Sequence, residues 1–183
     1  MPRRSPAALD HIEAQVVTAV LARGVGMEPL AMPELAKAAG LAVGTLYRLA
    51  PGKAALSARV EAAVWGRFDA AVFAPFPARL DLAGRFAAMW ARLSAFVLED
   101  GAAARFLADR PLPAGGSFLR ASAAFARDGA QAGLRRDLDG PGLAALVWGP
   151  AARLARDGTA TPERLAALGA AIWAGLLAPA APG

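Results

Sequence analysis

The sequence predicts an all-α protein in which a small N-terminal three-helix module precedes a larger helical domain. Three observations carry this. Apolar residues recur at three- and four-residue steps in segment after segment, and no segment sustains the strict alternation of a half-buried strand. The stretch Leu35–Arg48 has the spacing of two short helices packed across a tight turn. In it, Ala36 is small enough to let a second helix cross closely, Gly40 can take the positive φ of the turn, and Leu46 can fill the space between the helices. Finally, after Ala74-Pro75-Phe76-Pro77 the pattern changes to longer, more apolar helices. The domain boundary is therefore expected within the fourth helix, separating residues 1–60 from residues 61–183.

The elements follow in order. Leu9, Ile12, Val16 and Val20 form one apolar stripe on a first helix over about 8–22, which Arg23-Gly24 ends. Gly26 and Pro29 mark residues 25–30 as a loop. A second helix runs from Met32 to Ala39, with Pro33 in its first turn and Glu34 near its positive end, but with Ala31 where a capping hydroxyl is expected. The third spans Val43–Leu49. At about 100° per residue, an inward Leu46 turns Gly44 and Arg48 outward, with Thr45 and Tyr47 flanking them and Val43 at the edge of the buried face. Pro51-Gly52 ends it, and Lys53 opens a fourth helix that continues to Phe73.

Beyond the break, helices are expected over Asp81–Leu98, Ala102–Ala108 and Ser117–Ala132. The last pair covers Pro141–Arg156, with a kink at Gly149-Pro150, and Pro162–Ala178, which Thr161, Pro162 and Glu163 start strongly. Leu165, Leu168, Ile172, Trp173 and Leu176, with Leu146 and Leu154 on the preceding helix, exceed what one small core needs. Two such helices from each of two chains suit a four-helix dimer interface.

Composition removes several function classes. Without cysteine and with His11 alone among histidines, disulfides, thiolate metal sites and histidine-based catalysis have no material to work with. No nucleophile–base pair, metal cluster or phosphate loop can be named, so neither an enzyme nor a cofactor is expected. Asp10 and Glu13 interrupt the segment where an export signal would need an apolar core. The uncharged run from Leu165 ends its helical part near Pro179, roughly 20 Å long against about 30 Å of hydrocarbon, so a buried or dimer-forming helix is expected there. A cytoplasmic protein that does not span a membrane follows from these readings.

Charge points towards nucleic acid. The formal net charge is +5, and the first 60 residues alone hold seven basic and four acidic groups, so the basic excess is densest around the helix-turn-helix. Nearly all the cations are Arg, Lys37 and Lys53 being the only Lys, which fits a GC-rich coding bias as much as selection for guanidinium. Arg3 and Arg4 suit either a minor-groove arm or an unstructured basic terminus. In the second domain Phe86, Met89, Trp90, Phe96, Phe106, Phe118, Phe125 and Trp148 can either line a pocket for a small apolar or aromatic effector or simply form core. Arg92, Arg105 and Asp109 are the candidates to recognise a polar group, or else lie on a solvated face.

From Leu35 to Leu56 the chain resembles the DNA-binding motif of the TetR family of bacterial transcriptional repressors. The matching residues are Leu35-Ala36, Ala39-Gly40, Gly44-Thr45-Leu46-Tyr47, Lys53 and Leu56, with Arg23-Gly24 also fitting; Gly133–Leu138 is more loosely similar. The resemblance implies a homodimeric, ligand-responsive regulator with an N-terminal DNA-binding domain, a variable ligand-binding domain, and dimerisation through the last two helices. It further implies that Tyr47 and Lys53 contact phosphates of a double-stranded operator, that Thr45 and Arg48 sit at base edges or the adjoining backbone, and that Val43 and Gly44 touch the groove. The sequence departs from the family at Ala42, where a capping Ser or Thr is common, and at Leu49-Ala50, where an aromatic pair is usual. Those departures keep a second reading in view, a helical small-molecule-binding or protein-interaction module whose DNA binding is weakened or lost.

Overall fold

The computed structural model describes residues 6–24 and 31–177; the expected loop at 25–30 and the Arg3-Arg4 pair lie outside them. The described residues form α1 (Pro6–Ala22), α2 (Met32–Ala38), α3 (Val43–Leu49), α4 (Lys53–Phe73), α5 (Leu82–Glu99), α6 (Gly101–Ala108), α7 (Ser117–Gln131), α8 (Gly140–Arg156) and α9 (Pro162–Leu176), with no strand among them. The chain divides into two compact units, Met1–Arg67 and Phe68–Gly183, and the division falls inside α4.

In the first unit α1 turns Ile12, Val16, Val17 and Val20 inward, α2 contributes Leu35 and Ala36, α3 Leu46 and Leu49, and α4 Leu56, Val60 and Val64. The turn between α2 and α3 closes as a Schellman motif. Gly40 takes φ +67°, its N–H donates to the Lys37 carbonyl at 3.2 Å, and the Leu41 N–H donates to the Ala36 carbonyl at 2.8 Å. Two otherwise orphaned carbonyls at the end of α2 are thereby satisfied, and only a residue without a Cβ takes this φ at no cost. At the start of α2, Ala31 supplies no oxygen, but the Glu34 carboxylate reaches back to accept the Ala31 N–H at 3.1 Å. This return arm of a capping box compensates for the missing cap. Arg59 of α4 donates through Nε to Glu13 of α1 at 2.8 Å, tying the first helix to the fourth.

The second unit is built around Phe68, which is fully buried. The rings of Trp148, Phe96 and Phe118 meet it edge-on with centroids 5.1, 5.2 and 5.7 Å away, the arrangement that the ring quadrupole favours. Asp81, Asp100, Asp139 and Thr161 cap α5, α6, α8 and α9, each side chain accepting a first-turn N–H. At α9, hydrogen bonds from its own backbone N–H and from the Thr161 hydroxyl hold the Glu163 carboxyl below the usual carboxylate range. Despite Pro150, α8 is continuous. The last helix stops at Leu176, two residues before the expected end, because Leu177 is extended and bridges to Leu134 while the Leu176 carbonyl accepts the Arg135 N–H at 2.9 Å.

Between α5 and α9 the Trp90 indole N–H donates to the Leu165 carbonyl at 2.9 Å, and Gly169 lets the ring in. A Cβ at Gly169 would lie 2.3 Å from the indole nitrogen. This packing corrects part of the expected dimer interface. Leu165, Ile172 and Leu176 lie seven and four residues apart on one stripe of α9, and that stripe is buried within the protomer. Leu146 stays exposed, and Leu154, Leu168 and Trp173 are half-buried.

Gly169→Ala is expected to destabilise the protein by about 1–3 kcal/mol, since the indole cannot retreat without losing its hydrogen bond. By contrast, Gly66→Ala, where a Cβ meets open space on α4, should stabilise by up to ~1 kcal/mol through helix propensity. Urea denaturation of both variants checks the opposite signs.

Candidate nucleic-acid interface and ligand cavity

The rotation of α3 about its axis is set by what it buries. Leu46 is completely buried and Leu49 nearly so, which turns Val43, Gly44, Tyr47 and Arg48 out together, at i, i+1, i+4 and i+5, as one continuous strip. Tyr47 is 52% exposed. No atom lies within 4 Å of where a Cβ of Gly44 would stand, so the backbone of α3 itself is open there to a close neighbour. Lys53, at the first position of α4, and the exposed Lys37, in the last turn of α2, add cationic groups to the same unit.

Thr45 departs from the helical-wheel expectation. It is only 7% exposed, because α3 is sunk against both α1 and α2 and its buried face is wide enough to include position 45 beside 46 and 49. Its hydroxyl accepts a hydrogen bond from Nη2 of Arg48 at 3.0 Å, and its N–H donates to the Ala42 carbonyl at 2.8 Å. Thr45 thus braces the exposed arginine and is not itself presented to a partner. Ala42 is the N-cap of α3, and no side chain caps it. Leu49 and Ala50, which replace the family's usual aromatic pair, are both buried and spend their side chains on packing.

In the second unit a cavity of about 60 Å³ opens among α4, α5, α7 and α8. Phe86, Met89, Trp90, Phe118 and Phe125 line it, together with Val72, Phe73, Phe76, Leu93, Ala121, Leu143 and Val147. The polar side chains in its wall are Arg85 and Ser122. Arg85 is already engaged by Asp128 at 2.8 Å and by the carbonyls of Leu80 and Ala78, so its charge is largely compensated.

Six residues considered for this pocket from sequence lie elsewhere. Phe96 and Trp148 belong to the cluster around Phe68. Arg92 donates to the Pro75 carbonyl at 2.6 Å, Phe106 is covered by the Arg110 guanidinium 3.4 Å from its ring centre, Arg105 is exposed on α6, and Asp109 pairs with Arg156 at 3.0 Å. Helical spacing alone does not separate a ring facing a void from one facing another ring. Phe76 lies in the Pro75 break, where no periodicity places it, and Phe73 is the last residue of α4, on the edge of that break. Arg85 carried a usable signal, standing four residues before Met89 on the same face.

Residues 17–60 match the sequence profile described as bacterial regulatory proteins, tetR family. The match is to the TetR family, and it spans the helix-turn-helix. Proteins of that family are DNA-binding transcription regulators. No curated protein matches it significantly in sequence. Its fold is that of solved family structures. It matches a TetR-family transcriptional regulator from Haemophilus influenzae with a TM-score of 0.75 and 23% identity over 95% of this chain and all of that one. A TetR-family protein from Vibrio parahaemolyticus gives 0.68 and 24% over 91% and 98%, and one from a Shewanella species gives 0.76 and 19% over 92% and 99%. Among the described residues, no helix is long and apolar enough to cross a membrane, and no group of His, Cys, Asp or Glu is placed to hold a metal ion.

The uncapped start of α3 leads to a direct expectation. Ala42→Ser should stabilise the protein by about 1 kcal/mol by giving the first turn of α3 a side-chain acceptor, read as a rise in the thermal denaturation midpoint.

Proposed function

We propose that this chain is a TetR-type regulator that acts as a ligand-responsive repressor, reading a near-palindromic operator as a homodimer. The observation that carries the reading is the strip Val43, Gly44, Tyr47 and Arg48, solvent-facing on the second helix of a helix-turn-helix. In that role Tyr47 and Lys53 hold phosphates, with the first N–H groups of α4 assisting Lys53, while Arg48 addresses base edges and Gly44 lets the helix backbone approach the groove. Dimerisation runs through the outer faces of α8 and α9. Support comes from exposed Leu146 and from Ala167, Ala170, Ala171 and Ala174, an uncharged surface formed of small side chains.

The cavity lined by Phe86, Met89, Trp90, Phe118 and Phe125 is the proposed effector site. Its walls favour a small apolar or aromatic compound. At about 60 Å³ the void holds a few water molecules, so an effector of one or more rings must displace side chains to enter. That displacement supplies the differential affinity that any allosteric response requires. Because α4 supplies residues to both the cavity and the first unit, it is the proposed carrier of the response.

An electrophoretic shift with DNA from upstream of the chain's own gene should show binding that weakens steeply with salt, is lost in Tyr47→Ala and is weakened in Arg48→Ala. Gly44→Ala is the sharper variant: it should fold with equal or greater stability yet bind DNA more weakly, because the added methyl stands between helix and groove. Sedimentation should show a dimer at micromolar concentration. A ligand-induced melting shift with no DNA binding under any salt condition would instead support a helical small-molecule-binding module.

A further inference from the structure

The outward strip of α3 is chemically sparse. Val43 and Gly44 have no hydrogen-bonding side chain, which leaves Tyr47 and Arg48 to carry whatever sequence information the strip expresses. Helical side chains lean towards the helix N-terminus, so Arg48 lies back over positions 44 and 45. At 44 it meets no side chain, and at 45 it meets the buried hydroxyl of Thr45, which accepts from Nη2 at 3.0 Å. The guanidinium is therefore steered to the N-terminal half of α3, the part of a recognition helix that contacts base edges. Its partner is a neutral hydroxyl, and among the described residues no carboxylate pairs with it, so the positive charge and the remaining N–H donors stay available.

Of the four bases only guanine presents two acceptors, O6 and N7, side by side in the major groove, and a forked guanidinium matches that edge. Adenine offers an acceptor next to a donor, thymine one acceptor beside a methyl, and cytosine a donor. We propose that Arg48 reads one guanine in each operator half-site, and that Thr45 is the positioning residue that aims it across the space left by Gly44. The inference rests on the proposed DNA-reading role of α3 and names the base that this role selects.

Selection of bound fragments from a random DNA pool by the full chain should yield a guanine at one symmetric position of each half-site. Replacing that guanine by 7-deazaguanine, which lacks the N7 acceptor, should weaken the wild-type protein by about tenfold or more, within the range for losing a bidentate base contact, and leave Arg48→Ala unaffected. Arg48→Ala should flatten the preference at that position while keeping it at others. Thr45→Val, close to Thr in shape, should reduce discrimination at the same position, and Thr45→Ser, which keeps the hydroxyl, should restore it; a purely structural role for Thr45 would instead lower binding to all sequences. Sequence-specific binding that depends on no guanine N7 would overturn the assignment, as would an Arg48→Ala variant that weakens all sequences equally with a shallower salt dependence, the mark of a phosphate contact. Either result leaves DNA reading by α3 standing. Absence of any DNA binding removes both proposals.

Discussion

The burial of Leu46 is the constraint on which the candidate interface depends. α3 is a seven-residue helix, less than two full turns, too short to hold itself together in water, so its existence and its rotation both come from packing. With Leu46 and Leu49 sealed against the first unit and the turn before them closed through Gly40, the helix has one rotational setting available. That setting faces Val43, Gly44, Tyr47 and Arg48 outward and draws Thr45 in. A change in the core at position 46 is thus a change in the candidate reading surface, although Leu46 is fully buried.

Stability and recognition make opposing demands on the same few residues. Ala42 leaves α3 without a side-chain cap, and Gly44 places the poorest non-proline helix former in its first turn. Both weaken a helix that has little propensity to spare. Gly44 has a purpose in the proposed approach of the helix backbone to a groove; nothing in the structure explains why Ala42 stands at the cap without a hydroxyl. α2 illustrates the alternative solution, in which Glu34 returns to the Ala31 N–H and supplies from the third helical position what the cap lacks.

In the second unit, packing decides which aromatic rings are core and which are wall. Phe68 collects Phe96 and Trp148 around itself in edge-on contacts, Phe73 and Phe118 both meet Phe68 and line the cavity, and Phe86, Met89, Trp90 and Phe76 stand along the cavity. Trp90 has both tasks, since its ring lines the cavity while its N–H holds α9 through Leu165. Any compound that shifts Trp90 therefore acts on the α5–α9 contact as well, which links an apolar cavity to the helix carrying much of the proposed dimer face.

The all-α class, the helix boundaries to within two residues and the helix-turn-helix were legible in the sequence because each rests on local rules: periodicity, proline and glycine punctuation, and a turn that needs a positive φ at one position. Leu46 as the inward residue was legible for the same reason. What the sequence left open was how wide each buried face is. Thr45, 100° from Leu46 on the wheel, is drawn inside because α3 meets two helices; Leu165, Ile172 and Leu176 are claimed by their own protomer because Trp90 pulls α9 onto α5. Periodicity gives the direction of a side chain relative to its neighbours in sequence, and only the helices packed around it decide whether that direction ends in solvent, in a void or against another ring.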